Sequence, residues 1–98
     1  MPLRLTPRQR ASLKARAHPL EPVVYIGQSG ASDAVIGEIN RSLEAHGLIK
    51  VKLAGADRET RRELADVLSA RTGAAAVQQV GHILVLWRPR PDEPDDLV

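Results

Sequence analysis

The chain has 98 residues, which fits one domain, and it contains no cysteine. Disulfides, thiolate metal sites and cysteine nucleophiles are therefore excluded. The formal net charge is +2, but residues 91–98 hold four of the acids and no base, which leaves +6 on residues 1–90.

This segregation of charge predicts a folded basic domain over residues 1–90 and a disordered acidic tail over residues 91–98, where prolines alternate with acids. A basic domain is typical of a protein with a polyanionic partner, and ordinary solubility charge is the plainer alternative. Residues 1–10 contain three arginines and no apolar run, so they predict neither a signal peptide nor a membrane span. We expect a cytoplasmic protein with no membrane partner.

The first predicted element is a basic helix. Thr6 can cap it, Pro7 suits the first helical position, and Gln9 completes a capping box. Proline disfavours a helical residue before it, so Pro19 predicts an end near Ala17. The apolar residues form a narrow stripe, made of Ala11, Leu13 and Ala17.

The next segments predict a strand, a tight loop and a second helix. Residues 23–26 are β-branched or aromatic, which favours a short strand, and the loop 27–30 ends it. Ser32 can cap the second helix, and Gly47 is the expected stop.

Residues 48–53 alternate, which predicts a strand with one apolar face and with Lys50 and Lys52 together on the other. A third helix is expected to begin after Asp57 and to end at Gly73. Its predicted buried side consists of Leu64, Val67 and Leu68.

Two further strands are predicted at 75–80 and 82–88, with a turn at Gly81. Residues 83–87 are apolar on both faces, which indicates a central strand. The order αβαβαββ favours parallel pairing within each strand–helix–strand unit and an antiparallel hairpin at the end. We therefore expect an α/β domain with a mixed sheet.

The loop Gly27-Gln28-Ser29-Gly30 is the first candidate site. Glycine lets the backbone approach a sugar-phosphate chain with no Cβ in between, and a helix N-terminus follows. Loops of this form clamp nucleotides in some RNA-binding modules, although by itself the pattern is more often a simple turn.

Basic side chains on the first helix and the second strand are the second candidate site, and a solvent-exposed face is the alternative. Arg10 and Lys14 are like charges one helical turn apart, a mild repulsion that a polyanion would relieve. Three arginines on the third helix interleave with acids, so we expect them to lie outside the RNA-binding face; these are Arg58, Arg61 and Arg62.

Catalysis and metal binding have no visible basis in the sequence. The three histidines show no metal-ligand spacing, and no nucleophile, base and acid arrangement is readable. We predict no cofactor, no metal and no small-molecule substrate. Aromatic content is 2%, too low for a stacking platform, so a nucleic-acid partner would be recognised by shape and backbone.

Four segments together resemble one family in their order along the chain: Ala17-His18-Pro19-Leu20, the loop 27–30, Leu48-Ile49-Lys50-Val51-Lys52, and the ending 77–88. They are similar to the YhbY family, bacterial stand-alone versions of the CRM domain (chloroplast RNA splicing and ribosome maturation). The resemblance spans about residues 5–89. Both loop glycines match, whereas Gln28 stands where relatives often carry lysine.

The resemblance implies a two-layer α/β fold like the C-terminal domain of translation initiation factor three, with a four-stranded mixed sheet in the order 1-2-4-3. It also implies association with precursors of the large ribosomal subunit and RNA binding without catalysis. We therefore expect a monomeric ribosome-assembly factor whose partner is ribosomal RNA. The predicted RNA-binding residues are Gly27, Gln28, Ser29, Gly30, Arg8, Arg10, Lys14, Lys50 and Lys52.

Two other functions stay open. The chain could be a protein-interaction module that docks on ribosomal proteins, with an incidental basic surface. An enzyme acting on RNA is the third possibility, which the missing catalytic constellation disfavours.

Overall fold

A computed structural model describes residues 4–27, 29–55 and 57–90 of the chain. Gln28 and the predicted acidic tail at 91–98 lie outside the described residues. No helix among the described residues is long and apolar enough to cross a membrane. The elements are α1 (Pro7–Ala17), β1 (Pro22–Ile26), α2 (Asp33–His46), β2 (Leu48–Leu53), α3 (Arg58–Thr72), β3 (Ala75–Val80) and β4 (Ile83–Trp87).

The helix ends follow from the local chemistry that the sequence predicted. Thr6 and Gln9 form a reciprocal capping box, with the Gln9 amide N–H donating to Thr6 Oγ1 at 3.1 Å and the Thr6 amide N–H donating to Gln9 Oε1 at 2.9 Å. Ser32 and Asp57 cap α2 and α3 by accepting one backbone N–H each. Gly73 ends α3 in the left-handed conformation.

The four strands form one mixed sheet in the order β1-β2-β4-β3. β1 pairs with β2 in parallel, and β4 pairs antiparallel with both β2 and β3. The predicted strand order, the antiparallel last strand and its central position are therefore confirmed. β1, β2 and β3 run in the same direction, so the loop 27–30, the loop 54–57 and the turn 81–82 lie at the same end of the sheet.

The main core lies between one face of the sheet and the helices α2 and α3. Leu43, Val51, Leu68 and Leu84 are among its fully buried residues. The prediction that Val67 faces this core is wrong, because its side chain is 42% exposed. Ala65 is buried instead, so the apolar stripe of α3 is rotated slightly from the predicted one.

α1 packs on the opposite face of the sheet. Leu13 and Ala17 insert into a second buried cluster with Leu48, Ala75, Val77, Val85 and Trp87. Ala11, predicted to belong to the stripe, is exposed. These contacts lie near the start of β2 and the start of β3, so α1 covers only that half of the face.

Candidate nucleic-acid interface

The loop between β1 and α2 forms a tight hydrogen-bonded turn. The Gly30 N–H donates to the Gly27 carbonyl at 3.1 Å, and the Ser32 N–H donates to the Gly30 carbonyl at 3.0 Å. Gly30 has a φ of 65°, which a side chain would strain. Both N–H groups already donate to carbonyls within the segment. An anion bound at this loop would therefore need hydrogen bonds from other donors.

Gly27 differs from Gly30 in its backbone conformation and in the space around its Cα. It has no positive φ, and a Cβ built on it meets no atom within 4 Å. Neither backbone strain nor packing therefore requires glycine at this position. The open space beside its Cα is available to a ligand, and Ser29 beside it is exposed.

The predicted basic residues of α1 have different surroundings. Arg10 is partly buried, and its Nη1 donates to the Ala76 carbonyl at 3.0 Å and also to the Val77 carbonyl. It thereby ties α1 to β3 at the bulge between Ala76 and Gln78. Arg8 and Lys14 are exposed, and neither has a carboxylate within ion-pair distance among the described residues.

The two lysines of β2 point away from the main core, as predicted. Lys50 is half-buried, and its Nζ donates to the His18 carbonyl at 3.3 Å, at the C-terminus of α1. Lys52 is exposed and lies opposite Tyr25 of β1, two residues before Gly27. Lys52 is therefore the predicted cation nearest the loop in the sheet.

A groove along the β3 edge is lined by residues of both α1 and α3. Arg10 and Lys14 line one wall of this groove, and the third helix lines the other with Arg58, Arg61 and Arg62. These three arginines were expected to lie outside the RNA-binding face, and the structure places them in one groove with Arg10 and Lys14. Asp66 is the one acid that lines the groove among the described residues.

The spacing of the α3 arginines in the sequence indicates that two of them share one side of the helix. Arg58 and Arg62 are four residues apart, so they lie on the same side of the helix. Glu59, Glu63 and Asp66 are close to them in sequence, but the two glutamates point elsewhere around the helix and do not line the groove. The sequence alone does not show which side of α3 borders the groove.

Other arginines have structural roles at helix ends. Arg88 Nη1 donates to the Thr72 carbonyl at 2.6 Å and to Asn40 Oδ1 at 2.8 Å. Arg71 pairs with Asp33 at 2.8 Å and also donates to the Ala31 carbonyl at 3.0 Å, which fixes the start of α2. The Arg71 contacts therefore hold the start of α2, which follows the loop 27–30, against the end of α3.

The loop and the groove lie at opposite edges of the sheet. β1 carries the loop and β3 borders the groove, so three interstrand spacings separate them, about 14 Å at ~4.8 Å each. Lys52 lies on the sheet between these edges, and Lys14 of α1 borders the same face of the sheet. No cluster of three or more metal-ligating side chains occurs in residues 4–27, 29–55 and 57–90.

Comparisons with known proteins agree with this arrangement. The family model of the CRS1 / YhbY (CRM) domain matches residues 5–88. A Haemophilus influenzae protein named "RNA-binding protein" is 49% identical over 85 residues, which are 87% of this chain and 86% of the relative. A Pseudomonas aeruginosa protein named "Probable RNA-binding protein" is 39% identical over 87 residues, which are 89% of this chain and 84% of the relative.

A solved structure extends the likeness to three dimensions. The solution structure of a Staphylococcus aureus protein matches with a TM-score of 0.79 and 32% identity, covering 94% of both chains. Sequence, strand order and fold therefore agree, and this chain belongs to the CRS1 / YhbY (CRM) domain family.

Proposed function

We propose that this protein binds structured RNA of the large ribosomal subunit precursor and acts in ribosome assembly without catalysing a reaction. Family membership and the names of the relatives support the RNA part of this proposal. The association with precursor ribosomal RNA comes from the resemblance to the YhbY family.

The β3-edge groove is the observation that carries the proposal. Lys14, Arg58 and Arg62 are exposed, come from two helices distant in sequence, and line one concave surface. Like charges placed together destabilise a free protein, and a polyanion removes that repulsion. RNA phosphates are the ligand that such a surface fits, and their contacts dominate affinity.

The loop supplies the second contact. Gly27 leaves room for close approach of the sugar-phosphate backbone, and Ser29 can bond to a phosphate or a 2′-hydroxyl. Gln28 has the same capacity, although its placement lies outside the described residues. Lys52 provides a charge between loop and groove, so an RNA that touches both must cross the sheet face.

Arg10 and Lys50 play a mainly structural part in this proposal. Each already donates a hydrogen bond to a backbone carbonyl, and these bonds fix α1 on the sheet. Their positive charges still add to the electrostatic potential of the surface, but their donor groups are partly occupied.

Binding to RNA over a salt series tests the proposal. Purified protein is titrated with large-subunit precursor RNA and, separately, with small-subunit RNA of similar length. About four to six phosphate contacts predict a log–log slope near −3 to −5, at ~0.7–0.9 per contact. We expect that slope, together with tighter binding to the large-subunit RNA.

A matched pair of variants locates the contacts. Lys14→Ala/Arg62→Ala removes two charges from the groove, so it should reduce the slope by about 1.5. Arg16→Ala/Arg41→Ala removes two exposed charges elsewhere and should leave the slope nearly unchanged. Equal effects of the two pairs would mean that net charge alone drives binding.

Docking on a ribosomal protein is the other outcome of this experiment. A flat salt response with RNA, together with a nuclease-resistant complex with one purified ribosomal protein, would overturn the RNA proposal. Sedimentation of the free protein checks the expected monomer.

A further inference from the structure

The half of the sheet face that α1 leaves open carries one continuous row of side chains. The strand register aligns Tyr25 with Lys52, Lys52 with Ile83, and Ile83 with Val80. Residues paired across strands share a face of the sheet. The row therefore runs across all four strands, at the end of the sheet where the loop 27–30 lies.

This row is unusually exposed for apolar side chains. Tyr25 is 64% exposed and Val80 is 60% exposed, the two highest values among the large hydrophobic residues that the structure describes. Trp87, the other aromatic residue, is buried under α1 at 5% exposure. Tyr25 is thus the aromatic ring of this chain that is open to a ligand.

The charges beside the row favour an anionic partner with a flat apolar part. Lys52 interrupts the row with a cation, and Lys14 and Lys50 border it on the side of α1. Among the described residues, no acid belongs to the row or to the shallow pocket beside it. An unpaired nucleotide combines a π-face with a phosphate, and it suits a tyrosine beside a lysine.

We propose that Tyr25 is a stacking site for one unpaired base of the bound RNA, with Lys52 holding the adjoining phosphate. This rests on the proposed function, since the RNA must already lie between loop and groove. Gly27 follows Tyr25 by two residues, so a strand leaving the loop passes over the ring. The site gives the protein a preference for RNA with an unpaired nucleotide, beyond reading of shape and backbone.

Two RNA duplexes with the same base pairs test the proposal, one fully paired and one with a single bulged adenosine. The wild type should bind the bulged duplex more tightly. Tyr25→Ala should weaken binding to the bulged duplex by about 5- to 140-fold, which is 1–3 kcal/mol per stacked base at 1.4 kcal/mol per factor of ten. Tyr25→Ala should leave binding to the paired duplex within about twofold of the wild type.

Tyr25→Phe separates stacking from a contact of the hydroxyl group, because the ring is kept. It should retain the wild-type preference, and its loss would overturn stacking. Val23→Ala is the matched control, since Val23 is also an exposed apolar residue of β1, at 45%, but lines a different cavity with Arg16 and Leu20. Circular dichroism of each variant confirms the fold.

Fluorescence of a base analogue reports directly whether the Tyr25 ring stacks on the unpaired base. With 2-aminopurine in the bulge, the wild type and Tyr25→Phe should quench the emission, and Tyr25→Ala should not. Equal affinity of wild type and Tyr25→Ala for both duplexes, with the salt slope intact, would refute the stacking site alone. Failure of the wild type to bind the duplexes and the large-subunit precursor RNA alike would refute the proposed function itself.

Discussion

Gly27 and Gly30 belong to one loop but differ in their backbone conformation. Gly30 adopts a φ of 65°, whereas Gly27 has no such requirement and open space at its Cβ position. The fold therefore explains the glycine at position 30, and ligand approach is the proposed reason for the glycine at position 27.

Alanine at each glycine separates these two causes. Gly30→Ala should destabilise the protein by about 1–2 kcal/mol, because alanine in the left-handed region is strained. Gly27→Ala should change stability by less than about 0.5 kcal/mol, yet weaken RNA binding. Urea unfolding and RNA titration of both variants measure this, and a stability loss at Gly27→Ala comparable to that of Gly30→Ala would contradict it.

Asp57 makes part of the stability of α3 dependent on pH. The Thr60 backbone N–H, which donates to Asp57 Oδ1 at 2.8 Å, lowers the pKa of this carboxyl below its ordinary value of 3.8, and Arg61 adds a smaller effect. The folded state therefore favours the ionised form. Its stabilising contribution is complete above pH 3.8 and is lost as the pH falls through the lowered pKa.

Asp57→Asn should keep the cap but remove this titration, since asparagine caps a helix about as well as aspartate. We expect the unfolding midpoint of the variant to fall less steeply than that of the wild type in strong acid. Asp57→Ala should lower the midpoint at neutral pH as well. Thermal unfolding over a pH series checks both, and parallel curves for wild type and Asp57→Asn would exclude Asp57 as a source of acid sensitivity.

At the scale of the elements, local chemistry made the helices predictable. Thr6, Ser32 and Asp57 cap their helices, and Gly47 and Gly73 end two of them, because each of these signals acts within a few residues. The strand pattern also placed β4 at the centre of the sheet. Family resemblance then supplied the strand order, which no local signal determines.

Contacts between distant elements were not predictable in the same way. Val67 is exposed and Arg62 lines the β3-edge groove, because the rotation of α3 on the sheet depends on packing across the fold. Arg10 and Lys50 were predicted as RNA contacts, but the sequence could not show that their side chains reach carbonyls of β3 and of the α1 C-terminus.

The attachment of α1 to the sheet, and with it the free energy of unfolding, should depend strongly on Arg10 and hardly at all on Arg8. Arg10→Ala leaves the Ala76 and Val77 carbonyls without their charged donor, which costs about 1–3 kcal/mol for partly buried groups. Arg8→Ala removes the same charge from an exposed position and should cost less than about 0.5 kcal/mol. Equal unfolding free energies for the two variants would show that Arg10 does not anchor the helix.

For the whole molecule, the acidic segment 91–98 is the main counterweight to the basic domain. Its four acids lower the formal net charge from +6 to +2. We propose that this tail competes with RNA for the basic surface. Deleting residues 91–98 should tighten RNA binding at low ionic strength and have little effect at high salt, where charges are screened.

Two tail variants control for length and sequence. Replacing the four acids by their amides should act like the deletion, and shuffling the order of residues 91–98 should act like the wild type. Unchanged affinity after deletion, measured at low salt with the same RNA, would show that the tail does not compete with RNA.

Mapping backbone amide shifts during an RNA titration tests most directly that the loop, the open sheet face and the β3-edge groove form one RNA-binding surface. We predict that the amide signals of Gly27, Lys52, Lys14 and Arg62 move together with a single apparent affinity, while that of Arg41 on α2 stays in place. Shifts confined to α2, or unchanged signals at both the loop and the groove while RNA is bound, would contradict this surface.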